Sequence, residues 1–287
     1  MATAVSIGRG NWCSACGTTL AGHEVVRLTM GDPHASAQYY CAACAGHWLR
    51  CAACRRTLDT AQGHLFALAG QAGRLYCPEC WARPHCHACG RPVGPVSFAR
   101  PDGRVLCEAC HATAVYDPTL AYDLFGRVRE TAKRVLDMEL NVGASLRLVN
   151  RGELNALRGH AAGPDPLEDA PAQEDDADYV GLFVHGWRTR AIYVEYGLPR
   201  IFFCEVVAHE YAHAWQAENA PLLATPELRE GFAEWVAYKV VENWGCRLRL
   251  DRFRGRQDIY GAGLRRLLAW EAAEGVAGVL DHIQRER

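Results

Sequence analysis

Val206-Val207-Ala208-His209-Glu210-Tyr211-Ala212-His213-Ala214-Trp215 carries the reading on which the architecture of this chain turns. Rich in alanine and free of Gly and Pro, it predicts a helix in which His209 and His213, four residues apart, project from one face. Two imidazoles so placed can grip one Zn²⁺, with Glu210 about 100° further round the helix, beside the ion rather than on it. Two fixed ligands, an open coordination position and a carboxylate able to take a proton from water are what a zinc hydrolase needs. The apolar neighbours Val206, Val207, Ala208 and Trp215 argue against a surface helix, and burying two histidines and a glutamate without a cation would be costly.

The rest of the chain bounds this reading. Its 287 residues are long enough for two domains, and an apolar share of 49% supports a sizeable core. A formal net charge of -2 gives no general attraction to nucleic acid or to an anionic membrane. Met1 to Trp12 lacks the apolar centre of a signal peptide, and no run of about 18 apolar residues is present to span a bilayer. A cytoplasmic protein is therefore expected, and in that setting fourteen cysteines point to metal binding rather than disulfides.

Behind a tail at 1–12, twelve of these cysteines form six Cys-x-x-Cys knuckles. They pair most simply as Cys13/Cys16 with Cys41/Cys44, Cys51/Cys54 with Cys77/Cys80, and Cys86/Cys89 with Cys107/Cys110. The intervening 24, 22 and 17 residues suit four-thiolate zinc sites. Residues 13–112 thus read as three tandem four-cysteine units, each with one structural Zn²⁺ replacing the core that so short a segment cannot build. Short hairpins are expected between knuckles, with Asp102-Gly103 as a turn. Tyr40, Tyr76 and Leu106, each just before a closing knuckle, mark the repeat. Such units resemble LIM domains and treble-clef fingers, although six residues separate Cys44 from Cys51 and five separate Cys80 from Cys86, where LIM fingers have two. His34, His47, His85, His87 and His111 read as loop residues, since the cysteines already fill three sites. The arginines here are scattered and no finger helix ends in paired histidines, so protein interaction is expected rather than nucleic-acid binding.

From Asp117-Pro118 the composition changes, and 117–287 reads as a mainly helical domain with a small sheet, making the whole α+β. Leu120, Leu124, Val128, Val135, Leu136 and Leu140 define an amphipathic helix of about 20 residues. Ser145 to Val149 alternates like a strand, and Pro- and acid-rich 159–178 reads as a mobile acidic loop. Tyr179–Val184 and Ala191–Tyr196 are candidate strands of a hairpin. The segment Ile192, Tyr193, Val194, Glu195, Tyr196 could offer its edge to an extended substrate, with an ordinary inner strand as the equal alternative. Gly197-Leu198-Pro199 then turns the chain into a helix starting near Arg200.

Two histidines leave a metal under-coordinated, and a helix opened by Thr225 and Pro226 places Glu230 and Glu234 on one face. Glu230-Gly231-Phe232-Ala233 resembles the corresponding segment of the gluzincin metallopeptidases. That resemblance implies Glu230 as the third ligand and Glu234 as an acceptor orienting a histidine. Together with the cysteine-rich fingers, Tyr196-Gly197-Leu198-Pro199-Arg200, Tyr260-Gly261-Ala262-Gly263-Leu264 and Leu280-Asp281-His282-Ile283, the chain is similar to the plant DA-one growth-regulating peptidases. These join a LIM region to a zincin-type zinc peptidase and are described as cleaving regulatory proteins after activation by ubiquitin. The resemblance, spanning roughly residues 40 to 285, implies a protein substrate and a partner at the zinc units, a ubiquitin-like protein among the classes to consider. The ubiquitin-interacting helices of that family precede its LIM region, where this chain has twelve residues before Cys13.

The expected chemistry is one catalytic Zn²⁺ on His209, His213 and Glu230, lowering the pKa of its water to about 7, with Glu210 as general base and Tyr260 or His282 donating to the oxyanion. Two other readings are an inactive adaptor carried by the zinc units and a nucleic-acid-binding zinc protein. Intact His209, Glu210, His213 and Glu230 weigh against the first, and the near-zero charge against the second.

Overall fold

The computed structural model describes residues 12–13, 16–20, 25–28, 38–41, 43–44, 50–56, 64–66, 74–161, 179–186 and 190–286. Each cysteine unit contains the expected hairpin. In the first, β1 (Val25–Leu28) pairs antiparallel with β2 (Gln38–Cys41), and in the second β3 (His64–Phe66) pairs with β4 (Arg74–Tyr76). A single helical turn, α1 (Pro78–Trp81), begins at Cys77, whose sulfur accepts the Cys80 N–H. In the third unit β5 (Ser97–Ala99) pairs with β6 (Val105–Cys107) across a turn in which Gly103 has φ +83, a conformation glycine adopts freely, and α2 (Glu108–His111) follows. Tyr40, Tyr76 and Leu106 are buried against cysteines, so in units this small the sulfur atoms are part of the core.

After the short β7 (Ala114–Val115), the predicted amphipathic helix is α3 (Pro118–Leu136), capped by the Asp117 carboxylate on the Thr119 N–H at 2.8 Å. Then come β8 (Ser145–Val149) and a helix that the sequence pattern did not suggest, α4 (Arg151–Ala161). Asn150 Oδ1 accepts the Glu153 N–H and Glu153 Oε2 accepts the Asn150 N–H, a reciprocal cap. Helix α4 takes up 159–161 of the expected acidic loop, and 162–178 lie outside the described residues.

Strands β9 (Gly181–His185) and β10 (Arg190–Glu195) form the expected hairpin. The sheet order is β8-β10-β9, with β10 parallel to β8 and antiparallel to β9. Ile192 to Glu195 therefore occupy the middle strand, hydrogen-bonded on both sides, and offer no free edge. Ile192, Val194 and Glu195 are fully buried. Among the described residues, β8 and β9 are the two edge strands.

The remaining chain is a two-residue strand β11 (Leu198–Pro199), paired with β7, followed by α5 (Arg200–Asn219), α6 (Pro226–Asn243), α7 (Arg247–Gly255) and α8 (Ile259–Arg285), the last broken at Gly275. Helices α5 and α6 bury residues on nearly every face, including Phe203, Val207, Tyr211, Trp215, Phe232, Trp235, Val236 and Tyr238. Each such side chain contributes about 1.5–3 kcal/mol on burial, offset by ordering entropy. Thr225 stands at the α6 cap position but makes no side-chain cap bond. No helix among the described residues is long and apolar enough to cross a membrane.

The third cysteine unit is stitched to the start of α5. The Gly197 N–H donates to Val115 O at 2.6 Å and the Arg200 N–H to Thr113 O at 2.9 Å. Arg100 donates to Tyr196 O at 2.9 Å, and both Arg100 and Arg104 pair with the buried Glu195 carboxylate. Phe202 of α5 packs on the core of that unit.

Helices α6 and α8 cross at Gly231 and Gly263. A Cβ on Gly263 would lie 2.4 Å from Glu227 O and 2.5 Å from Gly231 Cα, both backbone atoms that cannot swing away. Gly263→Ala should therefore cost about 1–3 kcal/mol, read as a lower urea midpoint; an unchanged midpoint would show that the helices separate freely.

Candidate metal centre

Helix α5 presents His209 and His213 one turn apart, and α6 brings Glu230 to them. The two Nε2 atoms lie 3.2 Å apart, and Glu230 Oε2 lies 3.3 Å from that of His209 and 3.4 Å from that of His213. A tetrahedral ion with ligand bonds of about 2.0–2.1 Å requires ligand separations of about 3.3–3.4 Å. The three donors already sit at that spacing, and their chemistry, two imidazoles and a carboxylate, suits Zn²⁺.

The electrostatics point the same way. Burial alone would push His209 towards its neutral form, but the Glu230 and Glu234 carboxylates outweigh it and raise the pKa to about 10. Burial likewise opposes charge on Glu230, yet the two histidines hold it ionised well below the usual carboxylate range. These groups recruit positive charge, and a dication in place of a proton satisfies the same demand.

Partners outside the cluster fix the rings. His213 Nδ1 bonds Gln216 Oε1 at 2.8 Å, and Gln216 in turn donates to Arg229 O at 2.8 Å. With Nδ1 as the donor, the His213 Nε2 lone pair is left for a metal. His209 Nδ1 lies 3.5 Å from Glu234 Oε2. Arg256 Nη1 donates to Glu234 Oε1 at 3.1 Å and its other end pairs with Asp258, which caps α8 by accepting the Gly261 N–H. Sequence reasoning misses Gln216, although its place three residues after His213 puts it on the same helix face.

Glu210 is 5% exposed and its pKa is raised by burial, against the pull of His209 and His213. It accepts the Phe183 N–H of β9. The fit is close: a Cβ on Gly181 would fall 2.8 Å from Glu210 Oε1 and 2.4 Å from Val206 Cγ1. Tyr260 lies with its ring centroid 6.0 Å from that of His209 and 4.3 Å from the Arg256 guanidinium carbon. Burial, then the charge of Glu230, pushes its pKa up to about 12, so it stays a neutral donor. Tyr179 is also within reach of these charges, its pKa raised by burial and then by Glu210 and Glu230. No sequence signal singles it out beyond its place at the start of a strand.

His282 is not part of this cluster. It lies beyond the break at Gly275, stacks on Trp270 at 4.6 Å and bonds Glu274 at 3.0 Å, so its ring is committed elsewhere. The residues Ile192, Tyr193, Val194 and Glu195 support the sheet from its middle strand, with Tyr196 in the turn that follows, and do not line an open edge.

The cysteines gather in the sequential pairs expected: Cys13, Cys16, Cys41 and Cys44; Cys51, Cys54, Cys77 and Cys80; Cys86, Cys89, Cys107 and Cys110. Sulfur separations of 3.9 Å for Cys16–Cys41 and 3.8 Å for Cys54–Cys77 and Cys89–Cys107 match the roughly 3.8 Å edge of a tetrahedron with Zn–S bonds of about 2.3 Å. Each set could therefore hold one zinc. His85 bonds Trp81 O, His87 bonds Arg104 and His111 stacks on Phe98 at 3.5 Å, while His34 and His47 lie outside the described residues. Cys204 is fully buried, whereas Cys246 is only half-buried.

A family model described as "DA1-like: Protein DA1" matches residues 181–251, the span that holds His209, Glu210, His213 and Glu230. Protein DA1-related 1 of Arabidopsis thaliana is 27% identical over 196 residues, covering 58% of this chain and 35% of that protein. LIM domain-containing protein HDR3 of Oryza sativa subsp. japonica is 24% identical over 226 residues, covering 69% and 45% respectively. Protein DA1 of Arabidopsis thaliana is 28% identical over 191 residues, covering 57% and 36%. The chain thus matches between about a third and just under half of the length of these curated relatives. No solved structure matches it. With the family model across residues 181–251 and these relatives extending beyond it, the chain is similar to the DA1-type LIM-containing family.

Proposed function

We propose that this protein is a zinc-dependent peptidase acting on protein substrates, with a zincin-type catalytic domain. The observation that carries the reading is the tetrahedral spacing of His209, His213 and Glu230 beside the buried carboxylate of Glu210. His209, His213 and Glu230 would hold the ion, with Gln216 and Glu234 fixing the two imidazoles. When bound, Zn²⁺ supplies Lewis acidity, acidifying water and polarising a carbonyl.

The protein's own groups do the rest. Glu210, with its raised pKa, takes a proton from the attacking water and passes it to the amide nitrogen as the C–O bond forms and the C–N bond breaks. Tyr260, held as a neutral phenol, donates to the developing oxyanion. The outer side of β9, which runs over Glu210 and is unpaired among the described residues, is the edge on which an extended peptide can add its backbone hydrogen bonds. The cysteine units serve protein recognition or regulation, with ubiquitin-like proteins a class to test. Twelve cysteines arranged for metal suit a reducing compartment such as the cytoplasm.

Two outcomes follow. Glu210→Gln should retain its zinc yet cut mixed protein substrates about 10²–10⁴-fold more slowly; equal fragment patterns from variant and wild type would remove the peptidase reading. Gln216→Ala should weaken zinc binding at the histidine site by about 10–100-fold, measured by competition with a chelating indicator, because His213 loses its orienting acceptor.

A further inference from the structure

Arg256, Gln257 and Asp258 join α7 to α8, and the arginine side chain reaches from this link to two neighbours of the metal centre. Its Nη1 donates to Glu234 Oε1 at 3.1 Å, and the other oxygen of that carboxylate lies 3.5 Å from His209 Nδ1. Its Nε and Nη2 grip the Asp258 carboxylate, with Nη2 at 2.7 Å from Oδ2 and Nε at 3.1 Å from Oδ1. Its guanidinium carbon lies over the Tyr260 ring at 4.3 Å from the centroid, and that ring is centred 6.0 Å from His209. One planar group therefore meets the carboxylate beside a metal-ligand imidazole, the cap of α8 and the phenol ring next to the same imidazole.

An Arg–Asp pair at the surface is ordinarily worth about 0–1 kcal/mol. Here the guanidinium does more than pair. The Glu234 side chain is 6% exposed, and an ionised carboxylate so placed needs a cation. The fork spends its two sides on different acids while the group lies over an aromatic ring, a combination that the compact ammonium of lysine cannot copy.

The backbone at this position is held without the side chain. The Arg256 carbonyl accepts from Arg265 Nη1 at 2.7 Å, and a Cβ on Gly261 would fall 2.2 Å from the same oxygen, so the first turn of α8 packs directly on it. Asp258 Oδ1 accepts the Gly261 N–H at 3.0 Å whatever side chain stands at 256. Substitution here isolates what the guanidinium does.

We propose that Arg256 is a positioning residue for the zinc chemistry, holding the Glu234 carboxylate at His209 and the Tyr260 ring beside that histidine, so that metal ligand and oxyanion donor keep one geometry. The Tyr260 half rests on the peptidase reading, whereas the Glu234 half needs only the metal. Misplacement by about 1 Å can cost about 10²-fold in rate, so a link of this kind has a kinetic signature.

The test uses the full chain with Arg256→Lys and Arg256→Met. Affinity is measured by chelator competition for the zinc ion that His213→Ala removes, and cleavage of a protein substrate is followed at saturating zinc. Zinc binding about tenfold weaker is expected in both variants, with kcat about 10–100-fold lower and KM within about threefold of wild type. Tyr260→Phe should lower kcat and leave zinc affinity unchanged, and Arg256→Lys should lower kcat less in that background than alone. Arg256→Lys keeps a cation beside Glu234, so its circular dichroism spectrum should match wild type. Zinc affinity equal to wild type in both variants, or a kcat loss fully additive with that of Tyr260→Phe, overturns the positioning role. Absence of Glu210-dependent cleavage from the wild type removes the peptidase reading instead, and the zinc affinities then decide the proposal through Glu234.

Discussion

The structure depends on keeping two imidazoles and three carboxylates close together and largely out of water. His209, His213, Glu210, Glu230 and Glu234 lie between α5 and α6 with little exposure. Such a group is tolerable only if positive charge enters it, by protonation or through a cation. The neighbours serve that demand. Arg256 neutralises Glu234 and ties it to the cap of α8, Gln216 points the His213 lone pair inward, and Gly181 lets β9 approach closely enough to bond Glu210.

A second buried carboxylate links the parts of the chain. Glu195 ends β10, five residues before α5 begins, and its charge is met by Arg100 and Arg104 from the third cysteine unit and Arg151 from α4. Breaking a buried pair of this kind typically costs about 3–5 kcal/mol. The third unit is therefore attached to the segment that launches the helix carrying His209 and His213, and its position supports α5 as well as its own hairpin.

Much of this is legible in the sequence because local spacing decides it. The i,i+4 histidines, the Asp117 and Thr225-Pro226 helix starts, the cysteine pairs and the Asp102-Gly103 turn are short-range patterns that the backbone must obey. The place of Ile192–Tyr196 in the sheet is not decided that way. Strand character says nothing about which neighbours pair on either side, although the near-continuous apolar run Ala191 to Val194 is what a strand covered on both faces requires. Helix α4 has a readable cap in Asn150 and Glu153 but little apolar periodicity. The position of His282 is hidden from the sequence because the break at Gly275 and the stacking on Trp270 are tertiary facts. The Gly231–Gly263 crossing and the nearness of Tyr179 to the metal centre arise only when distant elements meet.

The most direct measurement is the zinc content of the purified chain and of His213→Ala, by elemental analysis. Three thiolate sets and one histidine–glutamate set predict about four zinc ions per wild-type chain and about three in the variant. A wild-type value of about three, unchanged by His213→Ala, would contradict the metal centre on which the account rests.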